Sequence, residues 1–320
     1  MEEGDTMFES YDTKKFGEKL KELRRSLGFS QAEVSRKTSI NIDTIRKIEN
    51  GFCIPRNDTL VQLSLFYKVD LLKLLANYQR YGLLFDFYKK IDHLMIYGKF
   101  NQIPKLHNEF LIELNQSGDL QLINHIELEQ IDCFVSAVSS RYRGDISQAL
   151  ETTCYAISLT NPEFNIEKCS DFRYTALEIR LLVVAAACLG DLRNCELSII
   201  VSEFILSTLN IDSFSDKTED MYAIKSYANI SYNYHRLDNH LEALKYAKKG
   251  IELSLNKGHI DMLHFLFLRE AVAKLNLGNE TYLDSFKKCL YILKIEGNMK
   301  HYNYMVDLIK DKYSLDFSEL

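Results

Sequence analysis

Apolar residues recur at helical spacing from the start of the chain, and turn residues separate the apolar segments. The first amphipathic face has apolar residues at i, i+4, i+7 and i+11, namely Phe16, Leu20, Leu23 and Leu27. Gly28 follows directly, at the place where a glycine commonly caps a helix. Ser30 and Glu33 then have the spacing of a capping box, which predicts the start of a second helix.

Three more short helices are predicted before residue 80. The third spans residues 42–49 and follows a short turn through Ser39. Asn57 and Asp58 are placed to cap a fourth helix, and Asp70 to begin a fifth. Five short helices with a tight turn between the second and third are typical of the helix-turn-helix plan, in which the third helix enters the major groove of DNA.

The remaining part of the chain repeats a turn signal between helical patterns. The spacings between successive signals are 46, 46, 48 and 40 residues, and the signals are Tyr97-Gly98-Lys99, Arg143-Gly144-Asp145, Leu189-Gly190-Asp191, Leu237-Asp238-Asn239 and Leu277-Gly278-Asn279. A period of this length with one tight turn per unit predicts helix pairs stacked into a solenoid. The run from Cys169 to Gly190 is apolar on nearly every side and predicts a helix buried in that stack.

Composition agrees with an all-helical protein and argues against several function classes. Only 3 Pro and 13 Gly occur in 320 residues, which favours long helices. The 7 cysteines are scattered without a CxxC pair, and we expect reduced thiols in a cytoplasmic protein. No stretch approaches the apolar length of a membrane span, and the acidic N-terminus lacks the layout of a signal peptide. We therefore expect no membrane association.

Catalysis and metal binding are not expected either. The sequence has no glycine loop that would hold a phosphate, and neither an HExxH nor a GxSxG motif. Its 8 histidines show no metal-ligand spacing. We therefore expect no enzyme activity, no cofactor and no bound metal.

Charge is distributed unevenly along the chain. Residues 14–80 carry 14 Lys and Arg against 7 Asp and Glu, although the whole chain has a formal net charge of −6. A basic module on an acidic chain favours a polyanionic partner at that end. Charge alone leaves open a merely solvated surface.

The basic module resembles the Cro/Xre-type DNA-binding domain of phage repressors. The resemblance is carried by Gln31 at the start of the second helix, by Ile45-Arg-Lys-Ile-Glu-Asn-Gly51 closing the third, and by Pro55 before a leucine-bearing fourth helix. It covers residues 14–76. Ser35 departs from the pattern, since the family usually has alanine there, and this should loosen packing slightly.

The resemblance places a set of polar side chains on DNA. Candidates for reading base edges lie on the outward face and the N-terminal half of the third helix: Asn41, Asp43, Thr44 and Lys47. Candidates for phosphate contacts, which position the domain without reading sequence, are Gln31, Lys37, Arg46 and Arg56. The alternative is that these side chains are only solvated.

The best-defined repeat resembles a tetratricopeptide repeat. Its packing positions would be Tyr227, Ile230, Ser231, Tyr234, Ala243 and Ala247. A Cro-type head on such repeats resembles the Rgg/PlcR-like group, the cytoplasmic receptors for short secreted peptide pheromones in Gram-positive bacteria. That resemblance implies a right-handed superhelix that binds an oligopeptide on its concave side, a homodimer, and a peptide that changes DNA binding or activity.

A peptide would then contact the first helix of each repeat. The candidates are Lys225, Asn229, Tyr232, His235, Arg269, Arg180 and Lys89. Asn229 could clamp a peptide backbone, and Lys225 could pair with a terminal carboxylate. Nearby positions with apolar residues, Val138, Val184, Phe265 and Val272, suggest a hydrophobic peptide. The alternative is that Asn229 and Tyr232 only bridge helices and that the basic residues are surface charges.

The predicted protein is all-α, with an N-terminal five-helix helix-turn-helix domain followed by a right-handed tetratricopeptide-like helical solenoid. We divide it into a flexible N-terminus (1–12), the DNA-binding domain (13–78) and the repeat domain for peptide binding and dimerisation (79–320), with a hinge near Tyr78 to Gly82. The main hypothesis is a peptide-responsive homodimer on double-stranded DNA with two half-sites. The alternatives are a phage or mobile-element repressor whose repeats bind a protein, and a repeat scaffold that has lost DNA binding.

Overall fold

The chain forms an all-helical protein in a computed structural model that describes residues 11–76, 78, 82–96, 99–117, 124–209, 217–260 and 262–317. Every regular element in these ranges is a helix. The α-helices are α1 (Thr13–Ser26), α2 (Gln31–Thr38), α3 (Ile42–Glu49), α4 (Asn57–Tyr67), α5 (Leu71–Ala76), α6 (Gly82–Ile96), α7 (Ile103–Ser117), α8 (His125–Arg143), α9 (Ile146–Ser158), α10 (Ala176–Asp191), α11 (Cys195–Thr208), α12 (Lys217–Arg236), α13 (His240–Lys257), α14 (Leu263–Asn276), α15 (Tyr282–Ile295) and α16 (Met299–Tyr313).

The helices divide into two compact units. The head unit comprises residues 1–95 and 104–124, and the repeat unit comprises residues 96–103 and 125–320. Helices α6 and α7, which we expected in the repeat domain, group with α1–α5. They pack as a pair through the stacked rings of Phe87 and Phe110, whose centroids are 4.2 Å apart. The division of the chain at residue 78 stays a prediction, and residues 79–81 of the expected hinge lie outside the described residues.

Local sequence signals set the first three helices. Gly28 follows α1 with a φ of +78°, a left-handed conformation that glycine adopts without strain. Ser30 and Glu33 form both bonds of the predicted capping box at the start of α2. Asp12 caps α1 by accepting a hydrogen bond from the Lys15 N–H, so the described end of the N-terminal segment is tied to the head. Residues 1–10 lie outside the described residues.

The fourth helix begins differently from the prediction. Its N-cap is Arg56, which makes no side-chain cap hydrogen bond, and Asn57 is already the first helical residue. Asp58 accepts from the neighbouring Thr59 N–H at 2.8 Å and so does not act as the cap. Asp70 caps the fifth helix as expected, since its Oδ1 accepts from Lys73 N–H at 2.9 Å. The start of α4 was therefore misplaced by one residue.

The core of the head unit lies between the third helix and its neighbours. Side chains from α1–α5 fill it, and the fully buried ones include Phe16, Leu20, Val34, Ile45, Ile48, Leu60, Leu63 and Leu71. A Cβ at Gly17 would overlap the carbonyl oxygen of Ile48, so α1 and α3 approach each other closely only because residue 17 is glycine. This close contact holds α3 against α1 on the side of α3 that lies opposite its exposed polar residues.

The repeat unit is a stack of antiparallel helix pairs. Each second helix (α9, α11, α13) contacts the first helix before it and the first helix after it, while α10 also contacts α8 and α12, and α12 contacts α14. The first helices α8, α10, α12 and α14 therefore form a continuous layer, called here the inner layer. The layered arrangement is that of the predicted solenoid.

Most predicted turns are present. Gly144, Asp238 and Gly278 have φ values of +89°, +57° and +67° between consecutive helices. The third turn was misplaced, because Gly190 lies inside α10 and the reversal occurs at Arg193, with a φ of +68°. Tyr97 and Gly98 lie outside the described residues.

The buried helix predicted from Cys169 also begins later than expected. A 3₁₀ helix spans Ile166–Asp171, and α10 starts at Ala176 behind a capping box formed by Thr175 and Glu178. Its burial is confirmed, since residues on all its sides are buried. Among the described residues, no helix is long and apolar enough to cross a bilayer.

Four of the six predicted packing positions of the best-defined repeat are confirmed as buried, while Tyr227 and Tyr234 are half-buried and lie against the Tyr246 ring. Ile230, Ser231, Ala243 and Ala247 are fully buried between α12 and α13. Ser231 Oγ donates to the carbonyl oxygen of Ala243 at 2.7 Å, so the two helices are joined at their closest point. Small residues at these positions allow that approach.

Candidate DNA interface and inner repeat layer

The third helix exposes polar residues on one side because its apolar residues are buried in the core of the head unit on the other side. Ile45 and Ile48 are fully buried, whereas Asp43 and Lys47 are exposed. Asn41 caps the helix with its Oδ1, which accepts from Asp43 N–H at 2.9 Å. The cap uses the side-chain amide oxygen of Asn41 as an acceptor. The NH₂ group of the same amide is therefore the group that could donate to a base. Thr44 is half-buried on the same helix.

The predicted phosphate-binding residues differ in how they are held. Arg46 and Arg56 are exposed, and Arg46 Nη2 lies 2.8 Å from Asp43 Oδ1. Lys37 is exposed with its ammonium 4.9 Å from the centroid of the Phe29 ring. Exposed pairs of these kinds contribute little to stability and can rearrange on a ligand.

Gln31 belongs to a buried network that the sequence did not reveal. Its Nε2 donates to Glu49 Oε2 at 2.7 Å, and Glu49 also accepts from Arg24 Nε at 2.6 Å. Arg24 Nη1 donates to the carbonyl oxygen of Phe29 at 2.7 Å. Burial, followed by the charge of Glu49, raises the pKa of Tyr67 beside this network to about 12. The network joins the start of α2 to the end of α3, so it positions the helix-turn-helix pair.

The candidate peptide-binding residues lie mostly in the inner layer. Lys225, Asn229, Tyr232 and His235 lie on α12, Arg269 on α14, and Arg180 on α10. Lys89 is exposed on α6 in the head unit. The structure therefore brings Tyr232 and His235 of α12 together with Arg269 of α14, and places Lys89 in the other compact unit.

Asn229 serves as a bridge between α11 and α12. Its amide nitrogen donates to Ser198 Oγ and to Ser202 Oγ, both at 2.9 Å, and its Oδ1 accepts from Asn233 at 3.3 Å. Asn233 also donates to Ser198 Oγ at 2.9 Å. This is the alternative role considered for Asn229 from the sequence, because both amide hydrogens are used inside the protein. A clamp on a peptide would require those bonds to be exchanged.

The same network explains Gly190 inside α10. A Cβ there would lie 2.9 Å from Asn233 Oδ1 and 3.4 Å from Ser198 Oγ. A larger residue would push Asn233 away from its serine partner. The glycine that suggested a turn is therefore a packing residue between helices.

His235 is held as a neutral imidazole. Its Nε2 lies 3.0 Å from the carbonyl oxygen of Arg269, and its Nδ1 lies 3.1 Å from His240 Nδ1. A carbonyl can only accept, so His235 Nε2 carries the hydrogen and His235 Nδ1 accepts from His240. Burial lowers the pKa of His235 to about 4, and the charge of Arg269 acts in the same direction. Both ring nitrogens are thus used in joining α12 to α14.

Aromatic rings and guanidinium groups alternate along the inner layer. The Arg180 guanidinium carbon lies 5.6 Å from the Phe134 ring and 5.2 Å from the Tyr222 ring, so it joins α8, α10 and α12. The Tyr232 ring has the guanidinium carbon of Arg269 at 4.2 Å and that of Arg236 at 4.8 Å. Arg236 was missed from the sequence, because its spacing from Tyr232 means little until α14 supplies the second arginine.

The expected apolar lining is partly wrong. Val138, Val184 and Val272 are buried in the packing between helices, so they do not line an open surface. Phe265 is half-buried and packs against His264 and His301, with ring centroids 4.1 and 5.6 Å away. The inner layer therefore presents cations and aromatic rings, which changes the chemistry expected of a ligand.

The head is similar to a known domain family in sequence, and nearly the whole chain is similar to solved structures in fold. A helix-turn-helix domain family matches residues 17–80. No curated protein matches the sequence. The chain is an all-α protein with a helix-turn-helix head and a helical repeat region.

Three solved structures share this fold over nearly the whole chain. PlcR of Bacillus thuringiensis, solved in complex with the peptide PapR7 and DNA, has a TM-score of 0.69 at 16% identity, with 92% of this chain and 99% of that chain covered. The SHP pheromone receptor Rgg2 of Streptococcus dysgalactiae has a TM-score of 0.57 at 12% identity, covering 93% and 99%. ComR of S. thermophilus, solved in complex with DNA and its signalling peptide ComS, has a TM-score of 0.51 at 11% identity, covering 91% and 97%.

Proposed function

We propose that this chain is a sequence-specific DNA-binding transcription regulator whose repeat unit binds a short peptide that alters DNA binding or activity. The observation that carries the proposal is the combination of an exposed polar third helix in a helix-turn-helix head with an inner repeat layer in which guanidinium groups stack on aromatic rings. The structures of similar fold include a pheromone receptor and two regulators solved with DNA and a peptide. Such a regulator would act in the cytoplasm without catalysing a reaction.

DNA reading is assigned to α3. The exposed Asn41, Asp43 and Lys47, with Thr44 beside them, would contact base edges, because the first half of the third helix reaches the floor of the major groove in this type of domain. Lys37, Arg46 and Arg56 would contact phosphates. Gln31 would join them only by sharing its amide between a phosphate and Glu49.

A homodimer on two half-sites is part of the proposal. One helix-turn-helix head reads only a few base pairs, and two heads about one DNA turn apart supply the affinity of a specific site. The repeat region from α8 onward would provide the dimer contacts as well as the peptide site.

The proposal is tested by measuring DNA binding with and without peptides. DNA is first selected by the purified full-length protein from a random duplex pool, and the selected duplex is labelled. Its binding is then titrated at several salt concentrations with peptide fractions from spent culture medium. We expect salt-sensitive binding and a change in affinity or complex size with one small-peptide fraction. Tight DNA binding unmoved by every fraction would overturn the peptide part and favour a protein partner. Failure to select any DNA would overturn the regulator itself.

A further inference from the structure

The guanidinium group of Arg269 has no acidic partner. Among the described residues, no carboxylate lies within ion-pair distance of Arg269. By contrast, Lys274 on the same helix pairs with Glu270 at 3.1 Å. The side chain is half-buried on α14. A buried cation is costly when nothing neutralises it.

A second cation, Arg236, stacks with Arg269 on the ring of Tyr232 and adds to the positive charge at this position. The guanidinium carbons of Arg269 and Arg236 are both within about 5 Å of the Tyr232 centroid, at 4.2 and 4.8 Å. Arg236 Nη1 donates to the carbonyl oxygen of Gly190 near the end of α10, where the helix dipole is negative. That bond partly compensates the positive charge of Arg236. Within the part of the chain that the structure describes, the charge of Arg269 is compensated only by the face of the Tyr232 ring.

The electrostatic surroundings of Arg269 agree with this geometry. Burial is the largest cause and lowers the pKa of Arg269; Tyr232, Tyr313 and Cys289 act in the opposite direction, and the charge of Arg236 lowers the pKa by the smallest amount. No carboxylate is among these neighbours. The position therefore has an excess of positive charge that a ligand could neutralise.

We infer that Arg269 and Arg236, on the Tyr232 ring, form an anion subsite that binds a carboxylate of the short peptide. The inference rests on the proposed peptide-receptor function and adds the chemistry of the ligand. Two guanidinium groups can donate to both oxygens of one carboxylate, and Tyr232 offers an apolar face to the neighbouring peptide side chain. The carboxylate could come from the C-terminus or from an acidic side chain. From the sequence, Lys225 was the candidate partner of a terminal carboxylate. This inference gives that role to Arg269 and Arg236 instead.

The test uses two matched pools of random heptapeptides, one with free C-terminal carboxylates and one with C-terminal carboxamides. Full-length protein is incubated with each pool, and retained peptides are identified by mass spectrometry. We expect the free-acid pool to be retained about ten- to a hundredfold better than the amide pool. If the carboxylate comes from a side chain, the amide pool will instead be retained through members rich in Asp or Glu.

Arg269→Met tests the assignment to this residue, and Arg173→Met is the matched control, since Arg173 is exposed in the same unit. Arg269→Met should abolish the preference for carboxylates, while Arg173→Met should keep it. Without ligand, Arg269→Met should also raise the Tm, because an uncompensated charge is removed, whereas a purely structural arginine would lower it when lost. Arg269→Lys keeps the charge but not the forked geometry, and should lose most of the preference in a folded protein.

The outcomes distinguish failure of the anion subsite from failure of peptide binding as a whole. Equal retention of acid and amide peptides with no enrichment of Asp or Glu, or an unchanged preference in Arg269→Met, would overturn the subsite and leave the peptide receptor intact. Retention of no peptide from either pool by the wild-type protein would overturn the receptor function, and the subsite with it.

Discussion

Arg24 and Glu49 form a buried ion pair between α1 and α3, with Arg24 Nε 2.6 Å and Nη2 2.8 Å from the two carboxylate oxygens of Glu49. The residues are 7% and 2% exposed. Because Glu49 also holds Gln31 at the start of α2, this pair sets the relation between the two helices of the DNA-binding motif. The position of α3 therefore depends on a charge buried behind it.

Removing one partner of this pair should destabilise the head. Glu49→Gln leaves the Arg24 charge buried without an anion, and we expect a loss of about 3 kcal/mol in the free energy of unfolding, measured by chemical denaturation. Asp43→Asn is the control, since Asp43 pairs with Arg46 on the surface of the same helix and should cost less than about 1 kcal/mol. Equal effects of the two variants would show that the buried pair is not the stronger constraint.

Ser198 should be the residue on which the α10–α11–α12 contact depends most. Its Oγ accepts from Asn229 and Asn233 and donates to the carbonyl oxygen of Ala186. Ser198→Ala leaves buried amide groups without an acceptor, and we expect a loss of roughly 2 kcal/mol. Ser207→Ala, on the exposed side of the same helix, should change stability by less than about 0.5 kcal/mol. A small effect at Ser198 would mean that water replaces the hydroxyl group.

Lys47 should contribute to specific DNA binding. Lys47→Ala should raise the Kd for DNA selected by the wild-type protein by about ten- to a hundredfold, as expected for a cation that reads a base edge. Its effect on random-sequence DNA should be much smaller. Lys287→Ala, an equal loss of charge on the exposed surface of α15, should leave both Kd values unchanged. A loss of affinity that is the same on specific and random DNA would make Lys47 a phosphate contact.

Acid should destabilise the repeat unit through its buried histidines. Burial lowers the pKa of His235 to about 4 and that of His264 to about 3, from 6.5. The unfolded chain therefore binds these protons first as the pH falls below 6.5, and stability is lost between pH 6.5 and the folded pKa values. Each histidine should cost about 2 kcal/mol between pH 7.5 and pH 5.

The measurement is the unfolding free energy as a function of pH. His235→Gln and His264→Gln should each flatten the curve between pH 7.5 and pH 5, whatever they do to stability at neutral pH. His125→Gln, at the first residue of α8 and exposed, is the control and should leave the slope as in the wild-type protein. An unaltered slope in both buried-histidine variants would assign the acid sensitivity to other groups.

Features of the fold that depend on neighbouring residues were predictable from the sequence. The capping box of Ser30 and Glu33 and the turns at Gly144 and Gly278 involve residues close in the chain, so their chemistry can be read in a short window. Gly190 was misread for the same reason. Its neighbours suggest a turn, but the reason for the glycine is Asn233, which lies on another helix.

The candidate sites were less predictable because their contacts join distant parts of the chain. The third helix and its exposed residues follow from a local pattern, whereas the Arg24–Glu49 pair spans 25 residues. The bond from Arg236 to Gly190 spans 46 residues. The repeat spacing predicted that Tyr232 and Arg269 lie in the inner layer. It did not predict that the guanidinium group of Arg269 stacks on the Tyr232 ring. Asn229 was predicted as a clamp on a peptide, with a bridge between helices as the alternative, and its amide is engaged with two serines of α11.

The central claim is that peptide binding and DNA binding are coupled in one molecule. The most direct test uses the peptide retained in the pool experiment and the DNA selected by the wild-type protein. The Kd for DNA is measured with and without saturating peptide, and the Kd for peptide with and without saturating DNA. Thermodynamic linkage requires the two ratios to be equal, and we predict a common factor clearly different from one. A factor of one in both titrations, with each ligand binding tightly on its own, would contradict the account.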